Sequence, residues 1–102
     1  MLEINQTQFN EYMTHDLVLV DFFATWCGPC KMLSPVLEKV QEELAGKIEI
    51  VKVDVDENME LAQQFGVMSV PTMLVFKQGK IVGSITGYQP AGALVQTLQK
   101  LL

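Results

Sequence analysis

The chain has 102 residues, 49% of them apolar and 19% charged, and a net charge of −5 from seven lysines, no arginine and twelve acidic residues. That length corresponds to one domain, 1–102, able to bury roughly two-thirds of the surface its unfolded form exposes, so folding needs no metal or staple. No apolar run reaches the ~20 residues that span a bilayer, and a chain without arginine lacks the fork-shaped donors that read phosphates and bases, which argues against membrane and nucleic-acid partners.

The stretch MLEINQTQFNEY has no basic start, no long apolar segment and no small-residue cleavage site, so a cytoplasmic setting is expected. Residues 2–5 read as a short strand. Residues 7–13 follow with Phe9, Tyr12 and Met13 at helical spacing. His15 and Asp16 interrupt the pattern, with His15 read as a solvated loop residue. LVLVDFFA at 17–24 is almost wholly β-branched, aliphatic or aromatic, as a strand buried on both faces must be.

From Cys27 the period changes. Leu33, Val36, Leu37, Val40 and Leu44 recur at threes and fours, the apolar stripe of an amphipathic helix, with Gly46 as its terminator. Pro35 lies inside it and is expected to bend it; no catalytic role attaches to it. IEIVKVDV at 48–55 alternates as a strand does. Asn58 can cap a short helix carrying Met59, Ala62 and Phe65, ended by Gly66. Residues 72–77, the Gln78-Gly79 turn and residues 80–86 read as a β-hairpin. Pro90 suits the first turn of a last helix with Leu94, Val95, Leu98 and Leu101 as its stripe. Met32 and Met73 are read as core residues.

The order β-α-β-α-β-α-β-β-α implies parallel pairing early and antiparallel pairing late, giving an α/β domain with one mixed sheet covered on both faces by helices.

Both cysteines, Cys27 and Cys30, lie in WCGPC at 26–30, where the buried strand meets the long helix. A helix N-terminus presents unpaired N–H groups and the positive end of the macrodipole, and both favour a thiolate over a thiol. Cys27 is nearer the loop and solvent, which makes it the candidate nucleophile. Cys30, three residues on, shares its face at a Cα separation of about 5–6 Å, within disulfide range. Pro29 is tolerated in a first turn and stiffens the link. Other readings compete. Zinc requires four ligands, and the chain adds only the distant His15 to the pair. A structural disulfide closing so small a ring constrains the unfolded chain little. Two inert thiols fit the helix-start position poorly. A CxxC after a buried strand in a βα pattern favours redox exchange.

Asp21 interrupts the apolar strand. Burial of a carboxyl raises its pKa and makes it a proton store. Two readings stand: it accepts the proton of Cys30, or it is a structural aspartate paired with Lys52 on the adjacent strand.

VDFFATWCGPCK at 20–31, KVDVDEN at 52–58, FGVMSVPT at 65–72, FKQGK at 76–80 and Gly87 resemble the thioredoxin family over essentially the whole chain. The resemblance implies a five-stranded mixed sheet of order 1-3-2-4-5 flanked by four helices, with the hairpin strands antiparallel to the rest. It implies a protein-disulfide reductase in which Cys27 attacks, Cys30 resolves, the Cys27/Cys30 disulfide is the redox centre, Asp21 accepts the Cys30 proton and Lys52 tunes Asp21. A cis proline is implied at Pro71. A shallow substrate rim is implied from Trp26, Gly28, Pro29, Val70, Pro71 and Gly87. Tyr88, larger than the family's usual residue beside that glycine, joins the rim as a substrate contact. Phe23 stands where the family commonly has a second tryptophan, which removes an indole hydrogen bond near Asp56. The implied partners are a thioredoxin reductase and proteins with disulfides; NADPH and flavin act through the reductase, no cofactor is bound here, and the chain is expected to be a monomer. An oxidant or isomerase, which needs an oxidising compartment, and a redox-silent binding module are the competing functions.

Overall fold

The computed structural model describes residues 1–102, with the elements β1 (Leu2–Glu3), α1 (Gln6–Tyr12), β2 (Leu17–Phe23), α2 (Gly28–Glu43), β3 (Glu49–Asp54), α3 (Met59–Gln64), β4 (Thr72–Lys77), β5 (Lys80–Thr86) and α4 (Ala91–Gln99). The strands form one sheet of order β1-β3-β2-β4-β5. β1 and β2 pair parallel with β3, β4 pairs antiparallel with β2, and β5 pairs antiparallel with β4. The sheet order is the expected one. Of the hairpin strands, however, only β4 runs against the others, because β5 reverses again at the turn and so runs in the direction of β2.

The alternation of β2 divides the core. Leu17 and Leu19 face α2 and α4 in a cluster with Leu33, Leu37, Val40, Ile50, Met73, Leu94 and Leu98. Val18, Val20 and Phe22 face α1 and α3, with Phe9, Val51, Val53, Leu61, Leu74 and Phe76. On that side Phe9, Phe65 and Phe76 interlock, with ring centroids 5.4–5.5 Å apart, each pair adding about 0.5–1.5 kcal/mol beyond area burial. All seven residues of β2 are buried. A continuous apolar run forms a strand here because both faces of the sheet are covered.

Local sequence accounts for the ends. Asn5 is the N-cap of α1 rather than strand: its side chain accepts from the Gln8 N–H while Gln8 reaches back to the Asn5 N–H, a capping box. Gly66, at φ +65°, closes α3. The Val67 N–H then reaches the Ala62 carbonyl and the Gly66 N–H the Gln63 carbonyl, the paired pattern of a Schellman ending. Gln78 and Gly79, both at positive φ, make the β4–β5 turn, the geometry that matches strand twist. No helix is long and apolar enough to cross a membrane.

Three further expectations need correction. Pro90 is the N-cap of α4 in extended conformation, one position before the first turn. Asn58 occupies the cap position of α3 but makes no side-chain cap bond; its amide donates to the Asp54 carbonyl instead. Met32 is 60% exposed, because the adjacent Leu33 takes the core-facing position of the α2 stripe, whereas Met73 is fully buried. His15 lies exposed in the loop between α1 and β2, as expected, where its Nδ1 pairs with Glu49 and its ring packs against Tyr12.

Candidate functional site

β2 ends at Phe23, and the chain turns through Ala24, Thr25 and Trp26 before α2 starts at Gly28. Cys27 is the N-cap of α2, and its Sγ accepts from the Cys30 N–H at 3.2 Å. Cysteine thus takes the place usually held by serine or aspartate and satisfies one of the orphan N–H groups of the first turn. Cys27 and Cys30 are joined as a disulfide at a Cα separation of 5.3 Å, which a first helical turn supplies with no rearrangement of the backbone. Both residues are 4% exposed. The difference in solvent access expected between them is therefore absent. What distinguishes Cys27 is its place at the cap, where a thiolate would receive the N–H and the field of the helix start.

The opposite wall comes from the start of β4. Because β4 is antiparallel to β2, Phe22 aligns with Thr72, and the loop before Thr72 falls beside the carboxyl end of β2. The Val70–Pro71 bond is cis. The Val70 carbonyl oxygen lies 3.7 Å from Cys27 Sγ. Gly87, at φ +90°, donates its N–H to the Pro71 carbonyl at 2.8 Å, so the end of β5 is tied to the same wall.

The rim is less uniform than its residue list implied. Trp26 is 70% exposed; Gly28 and Pro29 are exposed, Val70 and Gly87 half-buried, and Tyr88 exposed beside Gly87. Pro71 is buried, so it backs the site rather than lining its surface. Trp26 is held by its indole N–H, which donates to the Asp56 carboxylate at 2.9 Å. The local hydrogen bond near Asp56 is thereby present although Phe23 replaces a tryptophan. Trp26, Val55, Val67, Met68, Ser69 and Val70 line a shallow groove of about 160 Å³. Met68, 96% exposed, was not singled out from sequence. Exposed methionines give adaptable apolar contact, and only the loop's packing beside Trp26 reveals its place.

On the α2 side of the sheet, two residues before the end of β2, lies Asp21. It is fully buried, and neither carboxyl oxygen has a hydrogen-bond partner. Burial pushes its pKa up from 3.8 to about 6, with the Lys52 charge pulling the other way. Asp21 and Lys52 align in the β2–β3 register, but they form no ion pair. The Lys52 ammonium instead donates to Ser34 Oγ at 2.9 Å and sits 4.3 Å from the centroid of the Phe23 ring. The alternative of a structurally paired Asp21 is not what the side chains do. Ser34 carried no signal in sequence, since it is a polar residue at an otherwise ordinary position of the helix.

The thioredoxin family model matches residues 1–100. Thioredoxin from Listeria monocytogenes is 50% identical over 98 residues, spanning 96% of this chain and 95% of that protein. Thioredoxin from Bacillus subtilis is 45% identical over 102 residues, spanning all of this chain and 98% of that protein. Among solved structures, a point mutant of thioredoxin from Halobacterium salinarum NRC-1 superposes with a TM-score of 0.89 at 40% identity, covering 97% of this chain and 88% of its own. Chloroplastic thioredoxin z superposes with a TM-score of 0.88 at 33% identity, covering 99% of this chain and 93% of its own.

Proposed function

The chain belongs to the thioredoxin family, and from that premise we propose how its residues carry out dithiol–disulfide exchange. The Cys27 thiolate attacks one sulfur of a substrate protein disulfide. That bond breaks, a mixed disulfide forms, and the departing substrate thiolate takes a proton from solvent. Cys30 then gives its proton to Asp21 and attacks the Cys27 sulfur. The Cys27–Cys30 bond closes, and the second substrate thiolate leaves. That second thiolate takes the proton that Asp21 holds, so the substrate gains two electrons from the pair and two protons, one from solvent and one from Cys30 by way of Asp21. Lys52 tunes the readiness of Asp21 to take the proton.

Trp26, Gly28, Pro29, Val70, Gly87 and Tyr88 contact an extended substrate segment, and Pro71 holds Val70 in place. The Val70 backbone, beside Cys27, offers main-chain hydrogen bonds that do not depend on substrate side chains, which suits varied partners. The unit that acts is one domain, 1–102, working as a monomer in the cytoplasm without a cofactor of its own. A thioredoxin reductase returns the pair to the dithiol, drawing electrons from NADPH through its flavin.

The observation that carries this reading is the capped cysteine pair, 5.3 Å apart at the start of α2. Its test is NADPH oxidation coupled to reduction of a protein disulfide in the presence of a thioredoxin reductase. Turnover that is lost in Cys27→Ser/Cys30→Ser is the expected result. A folded chain that supports no turnover overturns it.

A further inference from the structure

The one cation that acts on Asp21 has been drawn elsewhere. Lys52 stands directly across from Asp21 in the parallel β2–β3 pairing, on the sheet face covered by α2 and α4. An ammonium there would be expected to fold onto the carboxyl, since both oxygens lack partners and are buried. It bonds Ser34 of α2 instead, at 2.9 Å. Ser34 and Lys52 are both half-buried, so this hydrogen bond forms where water competes poorly.

We propose that Ser34 is a positioning residue: its hydroxyl holds the Lys52 ammonium off the Asp21 carboxyl and thereby sets the pH range over which Asp21 accepts a proton. Other charges facing Asp21 do not supply that control. Its β4 neighbour is Met73. The α4 residues reaching this face, Leu94 and Leu98, are apolar. Every charged residue of α2 is exposed, and the two cysteines at its start are joined to each other. From β3 only Lys52 bears on the carboxyl.

The chemistry follows from the competition. With Ser34 holding the ammonium, desolvation dominates and Asp21 keeps its proton to higher pH. Without the hydroxyl, the best remaining acceptor for Lys52 is the Asp21 carboxylate, and a cation at contact distance favours the charged form. The inference depends on Asp21 being the proton acceptor only for its consequence on rate, not for the titration itself.

The test is direct titration of the Asp21 carboxyl carbon by 13C NMR in the oxidised protein, together with the pH–rate profile for disulfide reduction. In Ser34→Ala the Asp21 midpoint is expected to fall by about one pH unit or more. Ser34→Thr, which restores the hydroxyl, is expected to titrate as the parent does. In a Lys52→Met background, Ser34→Ala is expected to leave the midpoint unmoved. A Ser34→Ala midpoint that stays put or rises, or a fall that persists without Lys52, overturns the proposal. If the midpoint falls as expected while the acid limb of the rate profile stays where it was, Ser34 has its role but Asp21 is not the proton acceptor in reduction. If the limb moves down with the midpoint, both stand.

Discussion

Asp21→Asn is expected to stabilise the fold at neutral and alkaline pH while slowing disulfide reduction. The carboxyl is fully buried with both oxygens unpartnered, and burial lifts its pKa from 3.8 to about 6. Folded, it binds a proton more tightly than it does unfolded. Between pH 3.8 and about 6 the native state therefore holds more protons than the unfolded chain, and stability falls as pH rises. Above that window the loss is complete and constant; below it, it is absent. Each pH unit of difference corresponds to 1.36 kcal/mol, so ionised Asp21 costs up to about 3 kcal/mol at pH 8. Asparagine is isosteric with the protonated acid and cannot ionise, so the variant escapes that cost.

The assay is thermal or urea unfolding of the oxidised protein from pH 3 to pH 9, which keeps cysteine titration out of the measurement. At roughly 4–8 °C of Tm per kcal/mol for a chain of this size, a gain of roughly 10 °C or more is expected at pH 8, shrinking to nothing near pH 3.5. A stability increment that does not vary with pH, or a variant less stable than the parent at pH 8, refutes the reasoning, because either result means that Asp21 does not ionise in the folded protein near pH 6. Reduction by the variant is expected to lose its pH dependence in the same range, with the largest loss at pH 7.

Cys30→Ser is expected to stop exchange at its first half, so that Cys27 accumulates as a mixed disulfide with substrate, visible as a covalent adduct by mass spectrometry; release of substrate at the parent rate would remove Cys30 from the resolving step. Trp26 is the only tryptophan and lies next to Cys27, so its emission is expected to rise when dithiothreitol removes the quenching disulfide, and emission indifferent to reduction would mean that the pair does not cycle. Gly79→Ala places a Cβ 3.0 Å from the Met13 carbonyl at φ +82° and is expected to cost about 1–3 kcal/mol in urea unfolding. Gly83→Ala meets the far end of the Leu101 side chain at 3.0 Å and Val75 at an ordinary 3.7 Å and is expected to cost less.

Periodicity read the framework well because covering a sheet on both faces forces it. The apolar run of β2, the stripe of α2 and the hairpin bounds at 72–77 and 80–86 each follow from a burial demand that a single segment expresses on its own. Misreadings fall where two segments decide together. Asn5 looks like a continuation of a strand until Gln8 is seen to complete its cap. Asn58 has the right chemistry for a cap, but the Asp54 carbonyl claims its amide first. In the site, the spacing of Cys27 and Cys30 was legible because it lies within one helical turn. That Lys52 would bond Ser34 rather than Asp21 was not. It depends on where α2 comes to rest over β3, which no local pattern encodes.

The direction of β4 explains why so small a sheet can assemble a site from distant segments. α2 carries the chain from β2 to β3 across one face of the sheet, and α3 carries it from β3 to β4 across the other. The carboxyl end of β2 is therefore where the crossovers diverge, and such a point leaves a crevice. A parallel β4 would present its carboxyl end there, and the segment that follows would be the hairpin turn. An antiparallel β4 presents its beginning, so the Val70–Pro71 loop arrives next to Cys27 by the same register that aligns Phe22 with Thr72. Slipping that register by one residue would carry Val70 about 3.3 Å along the strand and turn Met73 and Val75 out of the core they share with α2. The packing that stabilises the sheet and the distance that brings Val70 to Cys27 are one constraint, so substitutions in β4 that loosen the core are expected to impair exchange even where they touch neither cysteine.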